Sequence, residues 1–77
     1  MSPILLSELE RGACAEVCSL QTQGAMRRRL LDIGLAPGSQ VRSLFSACTG
    51  GMTAYLIAGA VIGLRSEDAA TVTVSRL

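Results

Sequence analysis

The 77-residue chain has no histidine, no lysine and no tryptophan. Without histidine it lacks the commonest general base and the commonest metal ligand. Its serines have no imidazole to activate them, and its acids form no obvious pair, so the pattern excludes hydrolytic catalysis of the serine type. Aromatics are almost missing. Phe45 and Tyr55 are the only two, too few for a platform that stacks bases. The formal net charge is only +1, carried by seven arginines against six acids. That gives no strong field for nucleic acid or for an anionic membrane. Three cysteines, Cys14, Cys18 and Cys48, are an odd set without a secretory leader before them. The sequence therefore reads as a cytoplasmic protein with reduced thiols, not a disulfide framework.

What is present is apolar: 49% of the residues, mostly Leu, Ile, Val and Ala. No charge occurs between Arg42 and Arg65, and "SLFSACTGGMTAYLIAGAVIGL" is long enough to cross a bilayer, for which about 20 apolar residues suffice. It even contains Gly59-x-x-x-Gly63, a membrane helix-packing spacing. Gly50-Gly51, Thr49, Thr53 and Tyr55 argue against a spanning helix. The better reading is two short strands, "MTAYLIA" and "VIGL", folded back at Gly59-Ala60 with glycine first in a type II′ turn.

The rest of the chain divides by period. "SELE" has Ser7 three residues before Glu10, a capping-box spacing that predicts a single helical turn. "ACAEVCSL" (13–20) alternates as a half-buried strand, with Ala13, Ala15 and Val17 inward. Met26, Leu30 and Ile33 lie at i, i+4 and i+7 and predict a helix over about 25–33. Gly34 follows as its left-handed cap, with Leu35 closing back on the last turn. "APGS" (36–39) reads as a type II turn, "QVRSLF" (40–45) as a strand, Ser66 as the N-cap of a short turn, and "TVTV" (71–74) as a last strand. About five short strands in so small a chain predict a mainly β, partly open barrel, one domain over 1–77.

At this point a resemblance adds information. "RRLLDIGLAPGSQV" resembles the signature of the FeoA family of bacterial ferrous iron transport: Arg29, Leu30, Gly34, Leu35, Pro37, Gly38 and Val41 occupy its R-L-x-x-x-G-[LI], P-G and strand positions. "SELERGACAEV" is similar to the family's opening, through Leu9, Gly12, Ala15 and Val17. "IAGAVIGLRSEDAATVTV" is similar to its close, through Gly59, Ile62, Leu64, Arg65, Ala69, Val72 and Val74. The resemblance implies an SH3-like barrel with the helix inserted after the first strand. It implies a non-enzymatic cytoplasmic protein that assists an FeoB-type membrane iron transporter, through the transporter's G-protein domain, and reaches the membrane only by that partner. A homodimer is a further partner state it leaves open. It also implies kinship with the C-terminal domain of iron-dependent repressors, without their DNA-binding part. The segment 44–60 departs from it in being unusually apolar and rich in alanine.

Candidate functional residues follow by elimination. Leu44, Phe45, Met52, Tyr55 and Leu56 are more apolar side chains than a barrel of this size can bury, and exposed apolar patches mark protein contacts. Arg27 and Arg28 are the basic rim expected beside them, the competing reading being a solvated helix face with an arginine pairing Asp32. The expected structural positions are Gly12, Leu30, Gly34, Pro37, Gly38, Gly59 and Arg65. No cofactor is expected. A stand-alone domain that binds or senses a transition metal is the alternative, with weak Fe or Zn binding by thiolates. Its difficulty is spacing: Cys14 and Cys18 on one strand stand about 13 Å apart at ~3.3 Å per residue.

Overall fold

A computed structural model describes residues 3–46 and 51–77. Six strands form one antiparallel sheet: β1 (Ile4–Leu5), β2 (Cys14–Leu20), β3 (Gln40–Ser46), β4 (Met52–Ile57), β5 (Ala60–Arg65) and β6 (Val72–Arg76). Their order is β1-β6-β2-β3-β4-β5, so the sheet curls into a partly open barrel with β1 and β5 at its edges. The expected five strands become six because Ile4–Leu5 pairs with Val74 and Thr73 of β6. A two-residue strand carries no readable alternation.

Helix α1 (Gly24–Asp32) follows β2 as expected, one residue earlier at each end. Leu30 is fully buried, and Met26 and Ile33 pack against the core. The helix stops as its sequence dictates. The Leu35 N–H donates to the Leu30 carbonyl at 3.0 Å and the Gly34 N–H to the Leu31 carbonyl at 3.1 Å, the paired bonds of a Schellman cap. Gly34 has φ +107° and Leu35 is wholly buried. The next turn closes with the Ser39 N–H on the Ala36 carbonyl, and Gly38 and Ser39 both bond Val17 of β2. Helix, turn and the start of β3 are thus fixed to β2.

Two bulges decide which side chains face inward. In β2, Val17 pairs with Val74 and Ser19 with Thr73, so Cys18 is an extra residue and the inward phase shifts to take Leu20. In β3, Ser43 pairs with Tyr55 and Phe45 with Ala54, so Leu44 is the extra residue. Plain alternation would point Phe45 inward with Val41 and Ser43. The bulge turns it to the outer face.

The apolar run is a hairpin and not a span. Among the described residues no helix is long and apolar enough to cross a membrane. Its turn lies one residue earlier than expected: Ile57 pairs with Ala60, so Ala58 and Gly59 are the central pair. Both have positive φ, 50° and 82°, which makes the turn type I′ and not II′. Ala58 is an unfavourable residue there, and position explains it. A Cβ added to Gly34 would come within 2.9 Å of the Ala58 Cβ and 3.3 Å of Ile57 Cγ2. The helix cap and the hairpin turn are in direct contact.

The short turns also depart from expectation. The first is a 3₁₀ turn, η1 (Leu6–Glu8), and its capping contact is Glu8 Oε1 accepting from the Leu5 N–H at 2.9 Å, not a Ser7–Glu10 box. Glu10 accepts instead from Arg76 Nε at 2.9 Å, joining the first loop to the last strand. Helix α2 (Ser66–Ala69) begins at Ser66 itself, with Arg65 as its cap residue and no side-chain cap bond. The core is aliphatic with one aromatic: Tyr55 is 2% exposed, amid residues that include Leu6, Leu30, Leu35, Val41, Ile57, Val72 and Val74.

Gly34→Ala should cost about 2–3 kcal/mol in denaturant unfolding, from forced backbone and crowding together. In an Ala58→Gly background the same change should cost measurably less, because the Cβ–Cβ clash is gone; equal costs would show that cap and turn are independent. The Arg76 hydrogen bond, with its charge, holds Glu10 below the ordinary carboxylate range. The ionised pair therefore stabilises the fold above the unfolded carboxylate pKa, and that contribution disappears as pH falls through the lower folded value. Glu10→Gln should lower the unfolding midpoint at pH 7, and the gap from the parent should close on acidification to about pH 2–3.

Candidate functional site: the outer sheet face

The register places a set of apolar side chains on the outer face of β3, β4 and β5. Arg42, Leu56 and Val61 form one cross-strand row, Phe45, Ala54 and Gly63 the next, and Met52 and Arg65 the third. Phe45 is 52% exposed, Val61 62%, and Met52 and Leu56 37% each. The missing side chain at Gly63 is partly covered by Met52, whose Cε would lie 3.2 Å from a Cβ there. Arg42 and Arg65 stand at opposite ends of the face. Arg42 Nε donates to the Gly12 carbonyl at 3.3 Å, and Arg65 is 3.9 Å from Glu67. A shallow groove of about 450 Å³ continues from Leu56 past Arg42 and Val41 to Cys14 and Gly34.

The expected contact residues divide. Phe45, Met52 and Leu56 lie together on this face. Leu44, the bulge residue, is half-buried. Tyr55 is a correction: it points into the core, where burial pushes its phenol pKa up and its hydroxyl donates to the Leu6 carbonyl at 3.4 Å. Arg27 is not a free rim cation, because its guanidinium donates to the Leu20 carbonyl at 2.8 Å and ties α1 to the end of β2. Arg28 is exposed and borders a hollow with Gly24, Leu31 and Asp32, away from the strand face. The expected pairing of an arginine with Asp32 is not among the ion pairs of the described residues. The rim is Arg42 and Arg65, and Val61 joins the patch. Cross-strand register would have found all three, but only once the turn had been placed at Ala58-Gly59.

Cys14 is half-buried and Cys18 exposed, its thiol only 3.9 Å from the Glu16 carbonyl. Cys48 lies outside the described residues. Among the described residues no three His, Cys, Asp or Glu side chains gather closely enough to hold a metal ion.

A small, partly open antiparallel barrel with one inserted helix and an apolar outer face defines an SH3-like domain. Residues 4–76 match the family model described as the FeoA domain, and the chain belongs to the FeoA family, which is associated with ferrous iron transport. Among solved structures it resembles FeoA from Chlorobium tepidum at 36% identity, covering 96% of this chain and 70% of that one, with a TM-score of 0.90. It resembles zinc-complexed FeoA from Stenotrophomonas maltophilia, described as a prokaryotic SH3 domain protein, at 30% identity over 94% of this chain and 89% of that one, TM-score 0.81. It is also similar, at 25% identity and TM-score 0.86, to a manganese-dependent transcriptional repressor; 97% of this chain matches 42% of that longer one. No curated protein matches significantly.

Phe45→Ser should change unfolding free energy by no more than about 0.5 kcal/mol, as at an ordinary surface position. Tyr55→Ala should cost about 3–5 kcal/mol, while Tyr55→Phe should cost under about 1 kcal/mol because its hydrogen bond is long. Denaturant titration of the three variants separates outer face from core.

Proposed function

We propose that this protein is a cytoplasmic accessory protein of ferrous iron uptake. It acts by protein–protein contact with an FeoB-type membrane transporter, through that transporter's G-protein domain. Family membership supplies the iron-transport context. The observation that carries the contact is the outer face itself: Phe45, Met52, Leu56 and Val61 expose apolar surface side by side on a domain too small to have any to spare. Burying such a face on a partner removes it from water, and Arg42 and Arg65 at its ends set orientation through complementary carboxylates.

The role is scaffolding rather than catalysis. Of the three helix arginines, Arg27 is engaged with the Leu20 carbonyl, whereas a stimulatory finger has to be free to reach a phosphate. The metal-sensing alternative has less support, since the described thiols do not converge with other ligands.

The test is a pull-down against the purified G domain in nucleotide-free, GDP and GTP-analogue states. Binding is expected in at least one state, and Phe45→Ser with Leu56→Ser should weaken it roughly tenfold or more while leaving the circular dichroism unchanged. Absence of binding in every state, or full binding by the doubly substituted protein, would reject the assignment.

A further inference from the structure

Strand β5 ends the sheet, and its backbone is unprotected. The hairpin sets its hydrogen-bond phase. Ala60 closes the turn opposite Ile57, so Ala60, Ile62 and Leu64 exchange bonds with β4. Ser66 keeps this phase, its N–H donating to the Gly51 carbonyl at 2.7 Å. Val61, Gly63 and Arg65 therefore turn their N–H and C=O groups away from β4, and among the described residues no backbone group bonds them there. The usual edge defences are missing. Ala60–Arg65 has no proline, no lysine and no bulge, and its only charge is the last residue.

Across from this edge stands α1. Met26, Arg29 and Ile33 form one wall of a cleft of about 700 Å³, and Ile62, Gly63 and Leu64 form the other. Met52 also borders it, so the cleft wraps around the edge from the inner face to the outer. Its size lies within the range of ligand sites, about 300–1,000 Å³.

We propose that this cleft takes an extended segment of a partner protein as an added strand beside β5, with a carboxylate of that segment on Arg29. Main-chain bonds to Val61 and Gly63 supply affinity, and alternate side chains of the segment meet Ile62, Leu64 and the apolar stripe of α1. The occupant is a single strand because the facing wall is a helix. A second copy of this chain would bring its own β4 along with its β5, into the space that α1 occupies. The occupant carries a carboxylate because Arg29 lines the wall with no ion-pair or hydrogen-bond partner among the described residues. Glu67 and Asp68 lie at the α2 end of the cleft, so an acidic residue is disfavoured there and the segment has one preferred polarity. This surface adjoins the outer face, sharing Met52, Gly63 and Arg65 with it, and does not rest on the transporter assignment.

The probe is a blocked heptapeptide of alternating valine and threonine with one central glutamate, titrated into ¹⁵N-labelled full-length protein. The amides of Val61, Gly63 and Arg65 should shift and exchange more slowly, while those of Ile62 and Leu64 stay protected throughout. Gly63→Pro removes an outward N–H without touching the β4 ladder and should weaken binding about tenfold or more. Gly63→Ala keeps the donor and should bind like the parent, since the crowding atom is the mobile Met52 Cε. Replacing the peptide's glutamate by lysine should weaken binding about two- to fivefold, and Arg29→Glu should reverse that preference. If Gly63→Pro does not fold, the charge swap decides. Shifts confined to Arg42, Phe45 and Leu56, no shift at millimolar peptide, or concentration-dependent self-association that protects Val61 and Gly63 without peptide would overturn the proposal. None of these outcomes involves the transporter, so the two assignments fail separately.

Discussion

The architecture turns on the contact between the end of α1 and the β4–β5 turn. Gly34 has no side chain, and the Ala58 methyl group and Ile57 Cγ2 occupy the space where one would be. This close approach does two things. It ends the helix with Leu30 and Leu35 both buried, and it sets the hairpin turn against the helix cap. A cleft lies between Met26, Arg29 and Ile33 of the helix and Ile62, Gly63 and Leu64 of the strand. The unfavourable backbone at Ala58 is tolerable because the neighbouring packing fixes it. An aliphatic core with a single aromatic has little energy to spare for strain, so strain is confined to this one non-glycine position among the described residues.

From that junction the two exposed features follow by different routes. The outer face is a consequence of strand register. Once the turn is at Ala58-Gly59, Met52 and Leu56 must share a face with Val61 and Arg65, and the β3 bulge delivers Phe45 to the same side. The cleft is a consequence of sheet topology. The chain returns from β5 through α2 to β6 on the far side of the sheet, leaving β5 without an outer neighbour. One feature offers side chains and the other offers backbone. They suit different partners, or different parts of one partner.

Sequence periodicity revealed the helix, its cap and its apolar stripe, because a 3.6-residue period, a glycine and a buried leucine all point to the same local structure. It revealed the Pro37-Gly38 turn for the same reason. It could not reveal the bulges. An inserted residue at Cys18 or Leu44 leaves the local pattern unchanged and is stabilised only by the strand opposite. That is why Phe45 reads as a core residue by alternation yet lies outside. Tyr55 is a different case: on the regular strand β4 it alternates with Ile57 and sits inside, next to the Leu6 carbonyl. The arginines were misjudged for a related reason. A run of three on a helix looks like one feature. Tertiary structure gives Arg27 to a strand end, Arg28 to solvent and Arg29 to the cleft.

The same composition explains why apolar side chains reach the surface. The chain has no histidine, and among the described residues no three Cys, Asp or Glu side chains gather. A chain with almost half its residues apolar and only a small interior must leave some of them outside. Exposed apolar side chains over unprotected strand edges normally promote aggregation. Here the two features meet at β5: Val61 is the most exposed residue of the outer patch, and Ile62, Gly63 and Leu64 border a cleft opposite a helix that carries charge. The helix opposite that part of the edge leaves room for a single added strand, as the proposed site requires.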